Sequence, residues 1–257
     1  MPRYKIIIEY DGTGFVGWQR QTNGLAIQAV LEGAILSACG EQVVVHGAGR
    51  TDAGVHASGQ VGHFNLTRIW RLDRLRDAIN AHMRAHRIAV LDAQAVGDDF
   101  EARFSAVRRR YIYRLVNRRA PSTFDRGYAW YIRRRLDADA MQEAAQRLLG
   151  RHDFSTFRAS ECQANSPVRT LEHFSVTRSG DRIDIHAKAR SFLHHQVRSM
   201  VGSLEHVGSG KWTADDLEDA LHARDRERCG VVAPACGLYL VGVDYQDEDL
   251  APVPNLP

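Results

Sequence analysis

The sequence predicts an α+β protein made of two α/β halves around a shared sheet, joined near residue 105. Three observations carry this expectation. Short β-branched runs alternate apolar and polar residues, and the segments between them repeat apolar residues with helical spacing. The two kinds of run alternate through both halves of a 257-residue chain, long enough to bury a large core. No low-complexity linker separates the halves, so they are expected to pack tightly.

Residues 4–10 read as the first strand, closed by the turn Asp11-Gly12-Thr13-Gly14. Asn23-Gly24 precedes a helix whose Leu25, Val30, Leu31, Ala34, Ile35 and Ala38 suit one face. Strands are expected at 42–48 and 60–66, then a helix near 72–84 and a strand near 87–96. The second half repeats the alternation with a strand at 109–117, a helix at 137–149 and strands at 170–178 and 182–190. Helices at 192–207 and 213–222 and a strand at 238–244 complete it. The expected domains are residues 1–105 and 106–246, followed by an acidic, proline-rich tail at 247–257.

Composition narrows the class. A hydrophobic content of 44% and a charged content of 25% are ordinary for a soluble globular protein. No apolar run reaches the length of a membrane span, and Met1-Pro2-Arg3 leads straight into a strand. Neither a signal peptide nor a transmembrane helix is expected, and the location is expected to be cytoplasmic. Cys39, Cys162, Cys229 and Cys236 show no CxxC spacing, which reads as reduced thiols rather than a zinc ribbon.

Charge is unevenly distributed behind a formal net value of +3. Residues 1–100 are neutral, 101–210 carry net +9, and 211–257 carry net −6. Lys188 is the only lysine of the basic middle; the rest is arginine, whose planar fork grips phosphate bidentately. A solvated arginine-rich surface would look the same by charge alone. The run Arg108-Arg109-Arg110-Tyr111-Ile112-Tyr113-Arg114 adds stacking faces beside the cations, which favours exposed bases as partners.

The stretch Gly49-Arg50-Thr51-Asp52-Ala53-Gly54-Val55-His56 places one carboxylate in a glycine-bounded loop between two strand-like flanks. A carboxylate held there is costly to dehydrate unless something pairs with it. An Asx-turn capping its own backbone is the plain structural reading; a loop carboxylate set on rigid strands is the functional one.

Two other patterns look functional and fail on context. Gly12-Thr13-Gly14-Phe15-Val16-Gly17 follows a strand and matches GxGxxG. A dinucleotide site needs the third glycine to open a helix, and Trp18-Gln19-Arg20-Gln21 and Asn23-Gly24 intervene. A nicotinamide-dependent oxidoreductase is therefore disfavoured. His82 and His86 lie four apart on a predicted helix, but position 83 is Met where a zincin has Glu. His56, His63, His194 and His195 show no ligand set of firm spacing, so hydrogen bonding to backbone or RNA is the simpler reading.

Taken together, the motifs resemble the tRNA pseudouridine synthases of the TruA type over residues 4–245. The likeness rests on Glu9-Tyr10-Asp11-Gly12-Thr13 with Gly17-Trp18-Gln19-Arg20, on the Asp52 loop, and on residues 100–106 leading into Arg109-Arg110-Tyr111-Ile112-Tyr113. It continues through Asp153-Phe154-Ser155-Thr156-Phe157-Arg158, Phe192-Leu193-His194-His195-Gln196-Val197-Arg198, Met200-Val201-Gly202 and Gly237-Leu238-Tyr239-Leu240. One departure is Asn80-Ala81-His82-Met83-Arg84, where the family usually has Asn-x-x-Leu-Pro.

The resemblance implies a mostly antiparallel sheet with the active site in a basic cleft between the halves. It implies isomerisation of uridine to pseudouridine in the tRNA anticodon arm, at conventional positions 38 to 40, with neither cofactor nor metal, by a homodimer. Asp52 maps onto the essential carboxylate, Arg198 onto its ion-pair partner and a contact for the flipped nucleotide, and Tyr111 onto the residue that stacks on the flipped base. Arg50, Arg109, Arg110 and Leu238 are the further substrate-binding candidates, the arginines toward RNA and Leu238 as an apolar wall. The other function class open to this sequence is a catalytically silent tRNA-binding or RNA-folding module, which the intact Asp52, Tyr111 and Arg198 argue against.

Overall fold

The computed structural model describes residues 1–246, so the expected tail lies outside the described residues. The chain divides into two compact units. Of the described residues, one comprises Met1–Arg109 with 240–246; the other is Arg110–Tyr239. Residues 240–246, expected in the second half, group with the first unit. Period-two alternation identifies a strand but says nothing about which neighbour it pairs with.

In the first unit β1 (Arg3–Tyr10) lies between two antiparallel partners, β3 (His56–Asn65) and β4 (Ile88–Val96), with Ile6 opposite Gly62 on one side and Ala93 on the other. β10 (Leu238–Asp244) follows on the far side of β3, giving the order β4-β1-β3-β10. Tyr4, Ile6 and Ile8 are fully buried, each side chain contributing about 1.5–3 kcal/mol over an exposed one. The helix α2 (Leu72–Ala81) packs on β4, and α1 (Ile27–Cys39) packs beside α2. A second cluster gathers Ala48, Val61, Val96, Phe100 and Ala102 under Val243 and Tyr245. The Tyr245 hydroxyl donates to the Ala102 carbonyl at 2.8 Å.

Two expectations in this unit need correction. The strand expected at 42–48 shrinks to β2 (His46–Gly47). The helix α1 captures the preceding backbone instead, with Val45 N donating to Glu32 Oε1 at 3.1 Å and Gln28 Nε2 donating to Val45 O at 3.1 Å. The helix expected to reach 84 stops at Ala81, so His82 and His86 do not share a helical face. Asn80 ends it by clipping onto β4, accepting from Val90 N at 2.8 Å and donating to Val90 O at 2.9 Å. Met83 fills a buried position, so the unusual wording of residues 80–84 still makes a closed helix-to-strand join.

In the second unit the strands run in the order β5-β9-β8-β7, from β5 (Arg108–Asn117) through β9 (Arg182–Ala189) and β8 (Val168–Ser179) to β7 (Gly150–Asp153). β6 (Trp130–Ile132) runs parallel to the end of β5, while the β7–β8 and β8–β9 pairs are antiparallel. β6 and β7 are too short to show a period in sequence, and neither was expected. The helix α3 (Ala138–Gln146) packs on β8, α4 (Gln196–Gly208) and α5 (Ala214–Ala223). Asp137 caps α3, and Thr213 forms a capping box with Asp216 on α5. Phe154, Phe157, Phe174, Met200 and Leu204 are fully buried. The helix expected from 192 begins only at Gln196, because His195 adopts the left-handed region at φ 61°.

The outcome is the α+β class expected, with mostly antiparallel strands and five helices among the described residues. No described helix is long and apolar enough to cross a membrane.

Candidate active site

Asp52 sits half-buried in the loop that enters β3. Its carbonyl accepts from Val55 N at 3.1 Å, which closes a turn. Neighbours hold that turn on several sides. The Thr51 hydroxyl meets the Tyr10 hydroxyl at 2.8 Å, and the Thr51 carbonyl accepts from Trp18 N at 3.0 Å. Gln60, fully buried on β3, donates through Nε2 to Gly49 O at 2.8 Å. Arg50, in the same loop, is exposed.

The glycine-rich segment that imitates a dinucleotide fingerprint turns out to support this loop. A Cβ added at Gly12 would stand 2.1 Å from Val55 O. Gly17 has φ +111°, and an added Cβ would lie 2.6 Å from Thr51 O. Both positions therefore need glycine, because the two loops pass backbone to backbone. No helix opens after Gly17; α1 starts at Ile27, so the geometry a pyrophosphate requires is missing.

His56 closes the same arrangement. Its buried Nδ1 lies 3.1 Å from Gly12 N, which donates to it, and 3.1 Å from Asp11 Oδ1. A neutral ring accepts from the amide there, and a charged ring donates to the carboxylate. Asp11 in turn accepts from Arg87 at 2.7 Å and from Thr13 N at 2.9 Å. The sequence favours a hydrogen bond from His56 to backbone or RNA over a metal role, and its contact with Gly12 N makes it a brace for the Asp52 loop.

The second unit carries Tyr111 and Arg198. Tyr111 is half-buried near the start of β5, with Phe192 set edge-on to it at 5.2 Å and 89°. Such T-shaped pairs fix a ring's tilt. Arg198 is held on α4 by the buried Val197, Met200, Val201 and Leu204. Its Nε donates to Ala233 O at 2.8 Å, and Ala233 N donates to Arg198 O at 3.1 Å. The same segment is gripped from β5, where the buried Tyr113 donates to Pro234 O at 2.7 Å. A Cβ at Gly237 would meet the Tyr113 ring at 2.6 Å. Burial raises the Tyr113 phenol well above its ordinary range, so it remains a donor.

The sequence profile of tRNA pseudouridine synthase matches residues 6–105 and 144–246. The tRNA pseudouridine synthase A of Beijerinckia indica subsp. indica is 66% identical over 248 residues, covering 96% of this chain and 95% of its own. That of Methylocella silvestris is 64% identical over 96% of this chain and all of its own. That of Azorhizobium caulinodans is 61% identical over 96% of each. The chain belongs to the tRNA pseudouridine synthase family. Members of this family are isomerases that convert uridine in tRNA to pseudouridine, so an RNA-modifying enzyme is favoured over a silent binding module.

Within a pseudouridine synthase the remaining candidates separate by exposure. Arg110 is half-buried on β5, and Leu238 is buried at the start of β10. Arg109 does not suit the phosphate role expected of it. It is 7% exposed, and its guanidinium donates to Ala48 O at 2.7 Å, Arg103 O at 2.6 Å and Ala106 O at 3.2 Å. Strand alternation turns it inward between Arg108 and Arg110. Gln60 and Asn117 carry no signal in the sequence, since a lone polar residue in a strand shows no pattern until its partners are known.

Proposed function

We propose that this chain isomerises uridine to pseudouridine in the anticodon arm of tRNA, at conventional positions 38 to 40, with Asp52 as the essential carboxylate. The observation that carries the reading is Asp52 itself, half-buried in a turn pinned through Thr51, Gly49 and Val55. Preorganisation of this kind is what a group acting on a developing cationic sugar requires.

The reaction breaks the bond from ribose C1′ to uracil N1, turns the base, joins C1′ to C5 and removes the C5 proton, while N1 takes up a proton in its place. No electrons are exchanged. Asp52 acts at C1′ and on the proton traffic, the work carboxylates do in glycosyl transfer. Arg198 is its ion-pair partner in this scheme, favouring the charged carboxylate. A base paired in a stem cannot be rearranged in place, so the target is extruded at a cost of a few kcal/mol and stacks on Tyr111. The Phe192 edge contact supports that role by presetting the ring. Arg50 assists at the RNA, Leu238 contributes apolar wall, and a homodimer engages the tRNA.

Asp52→Asn tests the assignment. The amide matches the carboxylate in shape, so tRNA affinity, which phosphate contacts dominate, is expected to stay within about threefold while pseudouridine formation ceases. Appreciable turnover by the purified variant would remove Asp52 from the chemistry. Mapping pseudouridine in tRNA modified by the wild type checks the positions.

A further inference from the structure

The segment 118–135 of the second unit carries six arginines against one acid, Asp125. Arg119, Arg126, Arg133, Arg134 and Arg135 are all exposed, and none forms an ion pair among the described residues. Elsewhere many surface arginines are mated with carboxylates: Arg71 with Asp73, Arg87 with Asp11, Arg147 with Glu218 and Arg182 with Asp184. Phe124, in the middle of the same segment, is 95% exposed. The ring thus offers an open stacking face beside unneutralised guanidinium groups.

The segment is also held in place. Asn117, 5% exposed at the end of β5, donates to Ile132 O at 3.0 Å and Arg134 O at 2.6 Å and accepts from Leu136 N at 3.0 Å. Arg178 donates to the same Asn117 oxygen at 2.7 Å and to Leu136 O at 2.9 Å. Tyr131 donates to Arg119 O at 2.9 Å, and Arg118 donates to Ala120 O and Pro121 O, each at 3.2 Å. The backbone beneath the arginines is therefore fixed before any partner arrives, which lowers the ordering cost of binding.

We propose that this strip is a second tRNA-contacting surface, in which Arg119, Arg126 and Arg133 to Arg135 track the phosphate backbone and Phe124 stacks on an unpaired base. Charge selects the partner: five unneutralised guanidinium groups in eighteen residues suit a polyanion. A cation–aromatic mixture suits RNA with exposed bases. Tyr111 and Asn117 lie six residues apart on β5, so the strip engages RNA about 20 Å from Tyr111, at about 3.3 Å per residue. The inference rests on tRNA as the substrate and not on which residue performs the chemistry.

The test uses the full chain carrying Arg133→Ala, Arg134→Ala and Arg135→Ala together, and separately Phe124→Ala, each checked for an unchanged melting temperature. Binding to full-length tRNA is measured across a salt series, with sedimentation of the free protein alongside. The triple variant is expected to bind at least tenfold more weakly at about 0.1 M salt, and its salt slope to flatten by about 2–3, at about 0.7–0.9 per contact. Phe124→Ala is expected to weaken binding fivefold or more. Lysine at the three arginine positions is expected to recover most of the slope. A wild-type slope in the triple variant overturns the proposal. So does a fall in assembly mass at wild-type slope, which would make the strip a contact between copies of the chain. Asp52→Asn is expected to keep the wild-type slope, so the strip and the catalytic assignment fail or stand separately.

Discussion

Tyr10 and Thr51 meet hydroxyl to hydroxyl at 2.8 Å, tying the end of β1 to the loop that carries Asp52. Burial pushes the Tyr10 phenol up to about 12, so it stays protonated at any pH at which tRNA modification is measured. The contact shows how the first unit treats its carboxylate: the strand, the glycine-rich loop and β3 all fix the residues beside Asp52.

Gly12→Ala should expose that dependence. Its new methyl would overlap the Val55 carbonyl, and backbone rather than a flexible side chain must yield. Overpacking of this kind costs about 1–3 kcal/mol, which lowers the melting midpoint of a chain this size by about 3–10 °C. Turnover at saturating tRNA is expected to fall at least tenfold. Wild-type melting and turnover together would show that the two loops do not depend on each other.

Arg109→Ala separates a buried arginine from an RNA-binding one. Three carbonyls lose their donor, and leaving even one buried group unsatisfied costs about 1–3 kcal/mol. Denaturant unfolding should show a loss of at least about 2 kcal/mol, while the salt slope of tRNA binding by the folded variant stays put. Normal stability with a flattened slope would return Arg109 to the phosphate contacts.

Arg198→Ala should depress single-turnover rates far more than affinity. Its place on α4, locked by Ala233 O, suits a group that acts at one point. The salt slope should change by no more than one contact, about 0.9. Normal rates at saturating tRNA, with binding alone weakened, would take Arg198 out of the chemical centre.

Much of this was legible beforehand, for identifiable reasons. Asp52, Tyr111 and Arg198 stand in local motifs, and long alternating runs such as 4–10 and 182–190 fold as their periods predict. The failures occur where the deciding partner is remote. Residues 42–45 alternate like a strand, yet Gln28 and Glu32 of α1 take both backbone hydrogen bonds of Val45. Arg109 reads as part of a basic patch until the Ala48 carbonyl, sixty-one positions away, is seen to claim it. The glycine motif shows its purpose only with the Val55 and Thr51 backbone packed against it.

His63 gives a pH prediction with a definite sign. Burial pushes its imidazole down to about 4, with Glu101 opposing the shift, and its Nδ1 accepts from Ala102 N at 3.1 Å. The unfolded chain therefore binds a proton, between about pH 6.5 and 4, that the folded protein refuses. The stabilising contribution of the neutral ring is complete above pH 6.5 and lost as pH falls toward 4. Melting midpoints taken at intervals over that range should fall more steeply for the wild type than for His63→Gln. Parallel curves would show that this histidine does not govern the acid limb.

The return of β10 to the first unit has a consequence during synthesis. The Asp52 loop and β3 are translated well before the strand that covers the far edge of β3. At about 5–20 residues per second, that edge stays open for about 10–35 s in the nascent chain. Gly59 lies against it, where an added Cβ would meet the Val241 carbonyl at 2.5 Å. Unpaired edges recruit foreign strands. A nascent chain stalled before Leu238 would thus present a complete Asp52 loop beside an adhesive sheet edge, and chaperones that mask extended backbone would be expected to find it there.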